Sequence, residues 1–83
     1  MERNIVAVYD RKMDAFGQPI FVPALGVAIR SFQDEANNTT SEIHKHPEDY
    51  TLYHLGTYDD STGQFRNLEK PHQLALADQL VTK

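Results

Sequence analysis

The 83-residue chain has no cysteine, no tryptophan, only four glycines and four prolines, and no excess of basic residues. Without cysteine there is no disulfide framework, thiolate metal site or cysteine nucleophile, so folding needs no oxidising compartment. No apolar run approaches the roughly 18 residues of a membrane span, and Met1-Glu2-Arg3-Asn4 lacks the basic start of a secretory leader. A cytoplasmic location with no membrane partner is expected. Twelve acidic against eight basic side chains give a net charge of −4, which opposes whole-molecule attraction to nucleic acid and leaves only a local patch to bind it. The basic residues Arg11, Lys12, Arg30 and Lys45 sit in no run longer than two.

What is present suffices for one core. The hydrophobic fraction is 40%, and four Tyr and four Phe supply much of the large apolar area. A chain of this size buries only about 60% of its unfolded surface, so residues 1–83 are read as a single domain for which self-association is a common source of extra buried area. Residues 69–83 form a tail that is a candidate docking element.

Ile5-Val6-Ala7-Val8-Tyr9 is β-branched and aromatic and predicts a strand. Val6 and Val8 point one way and Ile5, Ala7 and Tyr9 the other. Both sets are largely apolar, so a central strand covered on both sides is expected. Residues 16–23 mix Gly17, Pro19 and Pro23 with Phe16, Ile20, Phe21 and Val22, which suits an extended, turn-rich segment. Pro23 fits the first turn of a helix carrying Leu25, Ala28, Ile29, Phe32 and Ala36 on one stripe and Arg30, Gln33 and Asp34 outside. Asn37-Asn38 offers a left-handed exit. Pro47-Glu48-Asp49 starts a new turn, residues 50–58 predict a second strand, Asp59 to Gly63 a hairpin loop with Gly63 at positive φ, and residues 64–68 a third strand. The stretch from His72 to Val81 fits a short helix or a strand equally well. The fold class is α+β: a small β-α-β-β sheet, antiparallel or mixed, packed on one helix, with a C-terminal helix or strand.

No catalytic constellation is recognisable. Asp59-Asp60 and Glu48-Asp49 are simplest as turn formers and helix-start acids, and there is no nucleophile elbow, phosphate-cradling glycine loop or His-Glu-x-x-His stretch. His44, His46 and His54 near Glu42, Glu48 and Asp49 are competent metal ligands by type, but no third ligand falls at a recognised spacing. No enzyme activity, metal or cofactor is therefore expected. Arg11 and Lys12 at a strand end, Arg30 on the helix and Lys45 in the loop, beside Phe16 and Phe21, supply the combination of cations and rings that single-stranded DNA requires.

Several blocks fall in a recognisable order: Tyr9-Asp10-Arg11-Lys12, Ala15-Phe16-Gly17-Gln18-Pro19, Ala28-Ile29-Arg30-Ser31-Phe32, His46-Pro47-Glu48-Asp49-Tyr50, Leu52-Tyr53, Leu55-Gly56, Asp59 and Thr62-Gly63. In this order and spacing, over residues 5–65, the chain resembles the small nonstructural protein of gokushoviruses, single-stranded DNA phages of the microvirus group. It departs from the family pattern after Pro23, where Ala24-Leu25-Gly26 replaces a polar helix cap. The resemblance implies a non-virion protein of the infected bacterial cytoplasm, described as DNA-binding and compared with the protein that turns genome replication toward single-strand synthesis and packaging.

Two functions follow as expectations. In one, Arg11, Lys12, Arg30 and Lys45 contact phosphates of single-stranded DNA and Phe16 or Phe21 stacks on bases. In the other, residues 16–22 dock the phage replication initiator, a host replication protein or the procapsid without touching DNA. A homodimer is compatible with both, since pairing would cover the hairpin edge and the segment from Phe16 to Val22.

Overall fold

The apolar alternation of the N-terminal segment becomes a nine-residue strand, β1 (Glu2–Asp10), in the computed structural model, which describes residues 1–82. A turn containing Asp14 in the left-handed region (φ 54°) leads to β2 (Ala15–Phe16), and β3 (Ile20–Val22) follows. The helix α1 (Leu25–Ala36), a single turn α2 (Glu42–Lys45) and a 3₁₀ turn (Pro47–Asp49) precede β4 (Tyr50–Asp59). The long strand β5 (Gln64–Leu76) and a terminal turn α3 (Ala77–Leu80) complete the chain.

All strand pairings are antiparallel. β4 lies between β1 and β5, while β2 and β3 share the other side of β1. β2 and β3 therefore act as one edge strand interrupted at Gly17-Gln18-Pro19, and the Gly17 amide still donates to the Val8 carbonyl at 2.8 Å. This alters the expected β-α-β-β order. Residues 16–23 were expected only to be extended, yet their Phe16 and Ile20–Val22 backbones bond to β1, with Pro19, which has no N–H to give, left at the break.

The helical layer covers one face. Val6, Val22 and Leu52 from the sheet close on Ala28, Phe32 and Ala36 of α1 and on Ala77, with Val8, Leu25, Ile29, Ile43 and Tyr50 packed around them. The expected apolar stripe of α1 is the one that is buried. The helix begins at Leu25, two residues later than the proline suggested, because Val22 is still paired with Asn4 and Ala24 is extended. The chain measures 43 × 23 × 17 Å, whereas twelve helical residues span about 18 Å. The distal β4–β5 hairpin consequently runs out beyond the helices.

Its register is irregular. Four residues of β5, Leu68 to Pro71, oppose the single residue Leu55 between the pairs His54–His72 and Gly56–Asn67, a bulge that carries a proline and two charges out of the edge. Gly63 turns the hairpin at φ 74°, as expected. The C-terminal segment satisfies both readings of it, as strand to Leu76 and as helical turn from Ala77.

Asn37 does not take a left-handed exit; its φ is −100° and its side chain does the capping. The amide Nδ2 donates to the Gln33 and Leu80 carbonyls at 2.8 and 3.0 Å, and Oδ1 accepts from the Thr82 amide and hydroxyl at 2.7 and 2.9 Å. One side chain thus ties the end of α1 to the C-terminal segment. Asn37→Ala is expected to cost about 1–2 kcal/mol, read as a lower denaturation midpoint at unchanged slope.

Candidate nucleic-acid interface

Strand alternation assigns Ile5, Ala7 and Tyr9 of β1 to the face opposite the helices. The register places Phe16 and Phe21 on the same face, opposite Tyr9 and Ile5, and adds Tyr53 and Tyr58 from β4 and Phe65 from β5. Six aromatic rings thus share one side of the sheet. β1 is central, as predicted, but among the described residues no second layer covers this side of it. Ile5 (6% exposed) and Ala7 (1%) are sealed by these surrounding side chains, while Phe16, Phe21 and Phe65 stay 43%, 46% and 59% exposed.

The rings form two triads. Phe16 lies 5.0 Å from Tyr9 and 5.5 Å from Tyr53, with Tyr9 and Tyr53 6.2 Å apart edge to face. Farther along the sheet, Phe21, Tyr58 and Phe65 have centroids 4.7 to 6.3 Å apart. The Tyr9–Phe16 and Ile5–Phe21 rows are four β1 residues apart, about 13 Å at a strand rise of ~3.3 Å.

Charge is sorted between the faces. By register, the paired positions on the aromatic face carry Arg3, Thr51, Asn67 and Gln73 among apolar and aromatic residues, and no carboxylate. The acids Asp10, Glu42, Glu48 and Asp49 instead line an open pocket of about 460 Å³ with Arg11, Lys12 and His46, between the β1–β2 turn and the 3₁₀ turn. Four carboxylates against two fixed cations make that pocket unsuited to phosphate. At the rim of the aromatic face the Tyr9 hydroxyl donates to the Asp14 carboxylate, which pushes the phenol pKa up and keeps it protonated. At the hairpin end Arg3 Nε donates to Asp60 at 3.2 Å. The N-terminal ammonium, and then Arg3, hold the Asp60 carboxyl below its ordinary range.

The basic residues singled out in the sequence do not assemble. Arg11 is bound to Asp49 at 2.9 Å and fastens the end of β1 to the 3₁₀ turn. Lys45 lies 3.8 Å from Glu42 on α2, and Arg30 is exposed on α1, both in the helical layer away from the rings. Lys12 is exposed in the turn joining Tyr9 to the β2 ring Phe16 and has no ion pair among the described residues. Phe16 and Phe21 do lie on one surface, one in each triad. Sequence reasoning missed Tyr9, Tyr53, Tyr58 and Phe65. A usable signal existed for the last pair, since a hairpin closed by Asp59 to Gly63 sets Tyr58 opposite Phe65.

Two of the histidines offered as metal ligands serve the backbone: His44 Nδ1 donates to the Ala36 carbonyl and His54 Nε2 to that of Gly56, each at 2.9 Å. The 3₁₀ turn does bring ligand atoms of His46, Glu48 and Asp49 within 4.8 Å of one another, a proximity that linear spacing did not suggest. The Asp49 carboxylate there is already engaged by Arg11.

No curated protein and no solved structure matches the chain. Among the described residues no helix is long and apolar enough to cross a membrane. A match to the profile described as Phage ORF5 protein spans residues 3–80, taking in both aromatic triads, the helical layer and nearly all of β1, and on that extent the chain belongs to the Phage ORF5 protein family.

Proposed function

We propose that this phage protein is nonstructural and binds single-stranded DNA on the aromatic face of its sheet, acting by binding rather than by catalysis. Its place is the cytoplasm of the infected bacterium, at the turn from genome replication to single-strand synthesis and packaging. The observation that carries the reading is the set of six clustered rings on a face whose paired positions hold no carboxylate. Bases stack on aromatic rings whatever their sequence, and such rings are the recurring platform of single-strand binding. The net charge of −4 is compatible with this because the acids lie on the helical side, at the turns and on the β5 bulge.

Binding is then dominated by stacking, with Lys12, exposed in the turn that joins Tyr9 to Phe16 between the rings and the acidic pocket, as a phosphate contact at the rim. A single-stranded ligand loses about 0.7 in log affinity per log unit of salt for each phosphate neutralised, so contacts from Lys12 and Arg3 give less than about a tenfold loss between 50 and 200 mM salt. Anisotropy titrations with labelled oligothymidine check this. Lys12→Gln is expected to weaken binding and flatten the salt dependence, while Arg30→Gln and Lys45→Gln leave both unchanged. Loss of binding in either of the latter variants would move the site to the helical side.

A protein partner or a second copy is the competing occupant of the face. Two sheets meeting face to face would bury the rings and leave none for bases. Light scattering giving twice 9.5 kDa, together with no association with oligothymidine at low salt, would favour that occupant.

A further inference from the structure

Each triad has a carboxamide beside it. Gln73 of β5 is paired with Tyr53 in the first triad, and Asn67 is paired with Gly56, two residues along the same strand face from Phe65 of the second. Both side chains are exposed and neither makes a side-chain hydrogen bond among the described residues. Neither is needed by the fold, therefore, and both are open on the surface that carries the rings. We infer, building on the single-stranded DNA reading above, that the face holds two base-reading stations, each an aromatic triad that stacks a base and one carboxamide, Gln73 or Asn67, that bonds its edge.

Chemistry assigns the base. A carboxamide offers one acceptor and two donors on one plane, which match the exocyclic amine and N7 of adenine in a bidentate pair. A base lying on a ring presents its edges sideways along the sheet, toward a neighbouring strand of the same face. Thymine stacks equally, but on that same edge it offers only the O4 acceptor beside its methyl group; its own donor–acceptor pair, N3–H with O4, lies on the Watson–Crick edge. The stations therefore prefer adenine on that edge, with Gln73 in the row of Ala7 and Asn67 in the row of Ile5.

Geometry assigns the spacing. A strand stacked as in a duplex advances about 3.4 Å per nucleotide and crosses the ~13 Å between the rows in roughly four steps; a splayed strand advances about twice as far and needs roughly two. Two adenines separated by one to three other nucleotides thus meet the two stations together, whereas adjacent adenines cannot.

The test uses the full chain and oligothymidines of fixed length carrying two adenines with zero to six thymines between them. Affinity is expected to peak at a separation of one to three thymines, with each station contributing about fivefold over unsubstituted oligothymidine. Asn67→Ala/Gln73→Ala is expected to bind every oligonucleotide as the parent binds oligothymidine, within about twofold, with the peak gone. A parent that binds all of them equally, or a double variant that keeps the peak, overturns the two-station inference and leaves DNA binding on this face intact. A parent that binds none of them at low salt, oligothymidine included, refutes the DNA-binding reading itself.

Discussion

Gly56→Ala is expected to lower the thermal midpoint by about 12–24 °C, from a loss of about 3 kcal/mol at ~4–8 °C per kcal/mol for a domain of this size. A methyl at Gly56 would lie 2.3 Å from the Arg66 carbonyl oxygen, 3.0 Å from Asn67 Cα and 3.2 Å from the Arg66 carbonyl carbon. All three are backbone atoms of β5, so no side chain can swing aside to make room. The strands must part at the point where the β5 bulge rejoins the ladder. Gly26→Ala is the internal control, since nothing lies within 4 Å of its added carbon and the residue is in the first turn of α1. There the substitution is expected to stabilise by about 0.5–1 kcal/mol through helix propensity and reduced freedom of the unfolded chain. Scanning calorimetry of both variants should move the midpoint in opposite directions. Equal, small shifts would mean that the two strands do not approach as closely as described.

Removing one ring from each triad, as Phe16→Ala/Phe65→Ala, is expected to reduce affinity for oligothymidine on the order of 25-fold or more, at about 1–3 kcal/mol per stacked base. The two residues are 43% and 59% exposed, so the fold should tolerate their loss, and intact near-native unfolding would separate a binding defect from a folding one. Each single variant should show one station's share, and the two should add, because the residues belong to separate triads. Unchanged affinity in the double variant would remove the rings from the site.

Much of this architecture was legible because it is periodic. The stripe from Leu25 to Ala36 and the alternation of β1 each encode which side is buried, and the Asp59–Gly63 loop encodes the hairpin. What sequence could not supply was the partner of each strand. Residues 16–22 have the composition of a loop, and only the backbone bonds to β1 make them an edge and turn Phe16 and Phe21 onto the face of Tyr9. Basic residues were singled out by type, but type says nothing of sidedness. Arg11 is engaged by Asp49, and Arg30 and Lys45 lie on α1 and α2 in the helical layer, so the candidate site is an aromatic surface rather than a basic patch. The bulge of Leu68 to Pro71, which brings Gln73 opposite Tyr53, depends on a four-to-one mismatch between strands that no local pattern announces.

The most direct test of the account is an amide NMR titration of the labelled chain with oligothymidine at low salt. Shifts concentrated at Ile5, Ala7, Tyr9, Phe16, Phe21, Tyr53, Tyr58 and Phe65, with Arg30 and the rest of α1 unmoved, are the result predicted. Shifts confined to the helical layer, or none at saturating DNA, would contradict it.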